Sequence, residues 1–141
     1  MSPIKILIVE DEMIIAEDMA DALSNLGYEV TAIVASGDEA IEKAATNYPA
    51  IVIMDINLQG DIDGVEAAQK IRNSQNIPVV FLTAYADQTT LERAKATEPF
   101  AYLLKPFQER ELKTTIEIAI ERDRAEKKFA NFSIEKATSI N

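Results

Sequence analysis

Short apolar runs alternate along this chain with longer stretches whose apolar positions recur every three or four residues, a pattern that predicts strands and helices in turn. Ile4 to Val9 is the first run and ends abruptly at Glu10, Asp11 and Glu12. Its unbroken apolarity predicts a strand covered on both faces. Met13, Ile14, Ala16, Met19, Ala20, Leu23 and Leu26 then mark an amphipathic helix, stopped by Gly27, a residue suited to the left-handed position after a helix end. Tyr28 to Ala35 reads as a second strand. Gly37 to Tyr48 reads as a second helix, with Ala40, Ile41, Ala44 and Ala45 on one face and Pro49 preventing its continuation.

Ala50 to Met54 is a third buried strand that runs straight into Asp55. Asn57 to Gly64 is a polar loop, after which Val65, Ala68 and Ile71 give another helical stripe. Pro78 opens a fourth strand, Val79 to Leu82, ending at Thr83. Asp87 to Ala96 predicts a fourth, weakly apolar helix, and Phe100 to Leu104 a fifth strand delivered to Lys105 and Pro106. From Glu109 a last helix runs through at least Ile120. Five consecutive strand–helix units predict an α/β domain, because right-handed crossovers stack such units into a doubly wound parallel sheet with helices on both faces.

A length of 141 residues with 48% hydrophobic content suits one compact domain with one core. No apolar run approaches the roughly 18 residues of a membrane span, and the N-terminus MSPIKILIVE lacks the plan of a signal peptide. A soluble, cytoplasmic protein without membrane contact is expected. Cysteine and histidine are both absent, which removes disulfides, thiolate metal sites and imidazole chemistry. Carboxylates and hydroxyls must therefore carry the chemistry. A net charge of −10 opposes direct binding to nucleic acid, whose affinity rests on Lys and Arg neutralising phosphates.

In an open doubly wound sheet, ligands bind beyond the carboxyl ends of the strands, where the strand order reverses. Glu10 and Asp11 follow the first strand, Asp55 the third, Thr83 the fourth and Lys105 the fifth. With the order 2-1-3-4-5, the first and third strands are neighbours and three carboxylates meet at one edge. Carboxylates so placed repel one another and call for a cation. Mg²⁺, a hard ion that takes oxygen ligands and leaves positions for water and phosphate, is the natural one. Taken singly, Asp11 or Asp55 reads as a helix N-cap or a loop carboxylate, Thr83 as a cap, and Lys105 as a solvated strand end.

The segments ILIVEDE, IVIMDINL, VVFLTAYAD and AYLLKPF, in this order, resemble the response-regulator receiver family over about Lys5 to Arg124. The resemblance implies a flavodoxin-like sheet in the order 2-1-3-4-5. It implies a phosphoacceptor, Asp55, fed by a sensor histidine kinase or phosphotransfer protein. Asp11 and Asp55 would ligate Mg²⁺, Glu10 would hold a metal-bound water, and Asn57 would add its backbone carbonyl. Thr83, Lys105 and the Ala84 amide would hold phosphoryl oxygens, and the bond before Pro106 would be cis. Tyr102, which on sequence alone could be a core or surface aromatic, would be a switch coupled to Thr83. Tyr85 would stand at the site rim. Residues 1–124 would form the receiver and 125–141 a helical extension or tail. The family implies a signalling protein, not an enzyme, that promotes its own phosphorylation and dephosphorylation. It would act on a downstream protein or as a homodimer through the face made by the fourth helix, the fifth strand and the last helix.

Two departures from the family pattern stand out: Gln59 where a proline is usual, in a loop one residue longer, and Glu98-Pro99 in place of a Gly-Ala pair. A haloacid-dehalogenase-like aspartate phosphatase is the enzymatic rival, but such enzymes carry an aspartate two residues after the nucleophile, where Asn57 stands here. A receiver that binds partners without phosphorylation is disfavoured because all five key side chains are present. A calcium loop around Asp61, Asp63 and Gly64 fails because Gln59 and Lys70 would fill the first and twelfth places. A stand-alone receiver and a fragment of a larger hybrid kinase or effector protein both fit the sequence after Arg124.

Overall fold

The structure, a computed structural model, describes residues 3–58, 60–84, 92, 95 and 100–130, and the backbone alone of 131–140. The apolar runs form strands β1 (Lys5–Val9), β2 (Glu29–Val34), β3 (Ile51–Asp55), β4 (Val79–Thr83) and β5 (Ala101–Leu104). The periodic stretches form helices α1 (Met13–Asn25), α2 (Gly37–Asn47), α3 (Gly64–Gln75) and α4 (Glu109–Ile140). All pairings are parallel, and the sheet order is β2-β1-β3-β4-β5. The predicted helix over 87–96 lies outside the described residues except for Glu92 and Lys95, and Tyr85, Gln59 and the Glu98-Pro99 pair lie outside them altogether.

The alternation of side chains across β1, β3 and β4 divides the core into two layers. Leu7, Val52, Met54 and Phe81 pack with Ala40, Ala44, Ala68 and Ile71 of α2 and α3. Ile6, Ile8, Ile53 and Leu82 pack with Met19, Leu23, Leu112 and Ile116 of α1 and α4. Each fully buried side chain of this kind contributes roughly 1.5–3 kcal/mol of transfer free energy, so the three central strands are the most firmly held part of the molecule.

Register places the strand ends. Val9 pairs with Met54, so Glu10 arrives level with Asp55. Asp55 pairs with Leu82 and Thr83 with Leu104, so Lys105 follows one step beyond Thr83. Backbone hydrogen bonds fix these ends: Glu10 N donates to Val34 O at 3.0 Å, Ile56 N to Leu82 O at 3.0 Å and Lys105 N to Thr83 O at 2.8 Å.

Helix ends follow their local chemistry. Ser36 and Asp63 cap α2 and α3 by accepting from Glu39 N and Glu66 N. Gly27 adopts φ +92°, as its place after α1 predicts. Two residues correct the sequence reading of α1. Met13 and Ile14, counted in its apolar stripe, are 62% and 83% exposed, because the first turn stands at the sheet edge where nothing described covers it. The last helix is also longer than the predicted minimum. Its buried anchors are Leu112, Ile116 and Ala119, yet it passes Arg124 unbroken and ends at Ile140. Ion pairs Arg122–Glu126 and Lys127–Asp123 at i,i+4 support the helix on either side of Arg124.

Gly64 opens α3 against the backbone of β3. A Cβ built there would collide with the Asp55 carbonyl oxygen and stand 3.1 Å from Ile56 Cα. Helix propensity alone would make alanine the better residue at this position. The contact predicts the opposite: Gly64→Ala should lower stability by about 1–3 kcal/mol through overpacking, measured as a fall in the urea midpoint.

Candidate functional site

The strand ends bring Glu10, Asp11 and Asp55 together, each offering a carboxylate oxygen, with these oxygens all within 4.8 Å of one another. Glu10 and Asp55 are buried, at 2% and 4% exposure, while Asp11 is open to solvent. Neither Asp11 nor Asp55 caps a helix. The N-cap of α1 is Glu12, which makes no side-chain capping bond, and Asp55 is the last residue of β3. The cap readings of these aspartates are therefore removed.

Lys105 reaches across from the end of β5, with Nζ 2.8 Å from Glu10 Oε1 and 3.3 Å from Asp55 Oδ2. The Lys105–Pro106 peptide bond is cis. Asp55 Oδ1 accepts a hydrogen bond from Asn57 N at 3.0 Å, so both its oxygens are held. Glu10 is less well served. Among the described residues neither of its buried oxygens has a hydrogen-bond partner, so its contact with Lys105 is an ion pair by distance but not a hydrogen bond by angle.

Burial, reinforced by the negative charge that Asp55 presents, pushes the Glu10 carboxyl up from its ordinary 4.5 to about 8, against the opposing pull of Lys105. For Lys105 burial acts downward, and Glu10 and Asp55 outweigh it, so the ammonium is held above its ordinary range and stays charged. One lysine thus serves two buried carboxylates beside a third. Hard oxygen donors, two of them orphaned in a buried carboxylate, fit a hard divalent cation such as Mg²⁺.

Thr83 is buried, and its Oγ1 donates to the carbonyl of its neighbour Ala84 at 3.3 Å, while Ala84 itself is exposed. Tyr102 pairs with Phe81 in register and stacks on its ring at a centroid distance of 6.2 Å. The Tyr102 hydroxyl is buried with no partner among the described residues, and burial raises its pKa. Thr83 and Tyr102 therefore lie on neighbouring strands, as sequence analysis expects. Met13 and Ile14, read there as helix core, instead form an exposed apolar rim beside Asp11.

Comparison with known proteins agrees with this arrangement. The profile of the response regulator receiver domain matches residues 6–117. The transcriptional regulatory protein PdtaR of Mycobacterium tuberculosis is 39% identical over 122 residues, covering 86% of this chain and 59% of its own length. The chain thus spans about three fifths of that relative. The receiver domain of a modulated diguanylate cyclase from Desulfovibrio desulfuricans is 38% identical with a TM-score of 0.84, covering 89% of this chain and 99% of its own. The receiver domain of the sensor histidine kinase PA1611 from Pseudomonas aeruginosa, solved with magnesium coordinated in its active-site cleft, is 32% identical with a TM-score of 0.77, covering 85% and 99%.

The raised Glu10 pKa has a consequence for stability. Between about pH 4.5 and about pH 8 the folded protein keeps a proton that the unfolded chain has lost, so this group's contribution falls as pH rises through that window. In the presence of a chelator, the urea midpoint of the wild type should therefore decline across the window more steeply than that of Glu10→Gln. Parallel pH profiles would show that Glu10 titrates normally.

Proposed function

The chain belongs to the response regulator receiver family, and from that premise we propose that it takes a phosphoryl group onto Asp55 and switches a partner-binding surface in response. The observation that carries the site assignment is the ammonium of Lys105 bridging Asp55 and Glu10 at one sheet edge. Asp55 is the carboxylate that meets that cation through one oxygen and the Asn57 N–H through the other, beside Glu10 and Asp11. In the transfer, one of its oxygens forms the new bond to phosphorus as the donor's bond to phosphorus breaks. With a phosphohistidine donor, the imidazole leaves and takes up a proton from water. Lys105, the Thr83 hydroxyl and the Ala84 N–H would hold the phosphoryl oxygens. Glu10 (through a water), Asp11, Asp55 and the Asn57 carbonyl would hold Mg²⁺. When bound, the ion would neutralise charge on the phosphoryl group. Phosphoryl transfer asks a protein chiefly for such positioning and neutralisation.

Asn57 also weighs against the phosphatase reading. It stands where a general acid–base aspartate would, and its N–H is engaged with Asp55 Oδ1. The partner would be a sensor histidine kinase or phosphotransfer protein. The exposed Met13 and Ile14, together with a groove of about 250 Å³ lined by Ile15, Asp18, Lys105, Pro106 and Phe107, support docking beside the site. Residues 1–124 would be the receiver and 125–141 its helical extension. Among the described residues no helix is long and apolar enough to cross a membrane, which agrees with action in the cytoplasm.

Output would run from Thr83 to Tyr102. The Thr83 hydroxyl, now turned to the Ala84 carbonyl, would move to the phosphoryl group, a charge-assisted hydrogen bond of about 1.5–3 kcal/mol that shifts the populations of Tyr102 conformers. The face around β5 and α4 would then change its affinity for a downstream protein or a second copy.

Intact mass after acetyl phosphate treatment with Mg²⁺ should show one added phosphoryl group on the wild type and none on Asp55→Asn. An equal gain on the Asn variant would sink the nucleophile assignment. Thr83→Ala should accept phosphate more slowly and show smaller amide shifts around Tyr102 on phosphorylation. Shifts identical to those of the wild type would exclude Thr83 as the relay.

A further inference from the structure

The loop between β3 and α3 leads away from Asp55 and carries the Asn57 carbonyl, yet its composition gives it little stiffness. Residues 56–63 contain no proline, and Gly60 adopts φ +123°. Apolar contacts supply what the backbone lacks. Ile56 and Leu58 are buried at the near end of the loop, and Ile62 at the far end packs half-buried on the same core layer.

The seat of Ile62 exists because Gly37 has no side chain. A Cβ built on Gly37 would lie 2.7 Å from Ile62 Cγ1, 3.0 Å from Ile62 Cδ1 and 3.1 Å from Ala67 Cβ. Gly37 is the first residue of α2, and its φ lies outside the left-handed region. Backbone conformation therefore does not require glycine there. The close approach of Ile62 does. The loop in turn bears directly on the nucleophile, because Asn57 N holds Asp55 Oδ1 at 3.0 Å. A displaced loop would turn that carboxylate.

We infer that Ile62, seated in the notch between Gly37 and Ala67, is a positioning residue that fixes the loop and thereby presents the Asn57 carbonyl and the Asp55 carboxylate to a divalent cation. The inference rests on the reading of Glu10, Asp11 and Asp55 as a cation site. Residues that orient ligands without touching the metal characteristically change its affinity by 10–100-fold.

The test uses the full chain, with Gly37→Ala, Ile62→Ala and the double variant compared by calorimetric titration with Mg²⁺ and by amide NMR in the presence of a chelator. Each single variant should bind Mg²⁺ about tenfold more weakly. The double variant should fall no further than the weaker single one, because the two changes break one contact. The metal-free amides of Asn57, Leu58 and Gly60 should shift in all three. Gly37→Ala crowds Ile62 and should also lower the urea midpoint, so the positioning role is read from the Mg²⁺ affinity and the metal-free loop amides of the still-folded chain, which a purely global loss of stability would leave unchanged. Unchanged affinity and unchanged loop amides in both single variants, or losses that simply add in the double, would overturn the positioning role. A wild type that takes up no Mg²⁺ would overturn the cation-site reading and the inference with it, an outcome plainly distinct from variants that match a binding-competent wild type.

Discussion

Among the described residues three carboxylates crowd one sheet edge with a single ammonium, and most of the features around the site follow from that imbalance. Glu10 and Asp55 are buried and share Lys105, while Asp11 adds a third negative group that no described cation serves. Like charges at this distance raise one another's proton affinity, and burial removes the water that would otherwise separate them. Glu10 absorbs the strain: among the described residues both its oxygens lack a hydrogen bond, and its carboxyl is pushed up to about 8. Taking a proton there and taking a divalent cation are alternative ways of relieving the same repulsion.

The fold is organised so that this imbalance cannot relax. Glu10, Asp55, Thr83 and Lys105 each sit at or just past the carboxyl end of a parallel strand, and the registers Val9↔Met54 and Thr83↔Leu104 fix them level with one another. Backbone hydrogen bonds to the neighbouring strand pin Glu10 and Lys105, and α3 presses on the Asp55 backbone through Gly64. Buried aliphatic side chains on both faces of β1, β3 and β4 make that edge rigid. A preorganised cluster of this kind need not be assembled when charge arrives.

Much of this was legible in the sequence because buried parallel strands leave a plain signature. β1, β3 and β4 are unbroken apolar runs with a functional residue at the end of each, and the strand–helix alternation predicts the α/β class without any pairing information. The order of the strands was not in the periodicity. It came from the resemblance of four motifs to a known family, and the sheet bears it out. Features that depend on contacts between distant segments were invisible. Nothing in the residues around Gly37 says that Ile62 lies against it. Periodicity also misjudged Met13 and Ile14, because an apolar stripe gives the direction of a helix face but not where the sheet beneath it ends. Sequence analysis gives α4 only a minimum, through at least Ile120, and the helix extends to Ile140. Its described residues 124–130 are exposed, and their support comes from ion pairs and from continuation of a helix already nucleated on Leu112 and Ile116.

The central claim, that the carboxylate cluster is electrostatically incomplete by itself and completed by a divalent cation, is tested most directly by thermal unfolding of the wild type and Asp11→Ala with chelator and with Mg²⁺. Without metal, removing Asp11 deletes a repulsive charge, so Asp11→Ala should unfold at a temperature equal to or above that of the wild type. With Mg²⁺ at about 100 times its dissociation constant, the wild type should gain about 2.7 kcal/mol and overtake the variant, whose midpoint should scarcely move. A wild type whose midpoint ignores Mg²⁺, or an Asp11→Ala variant that gains as much as the wild type, would contradict the account.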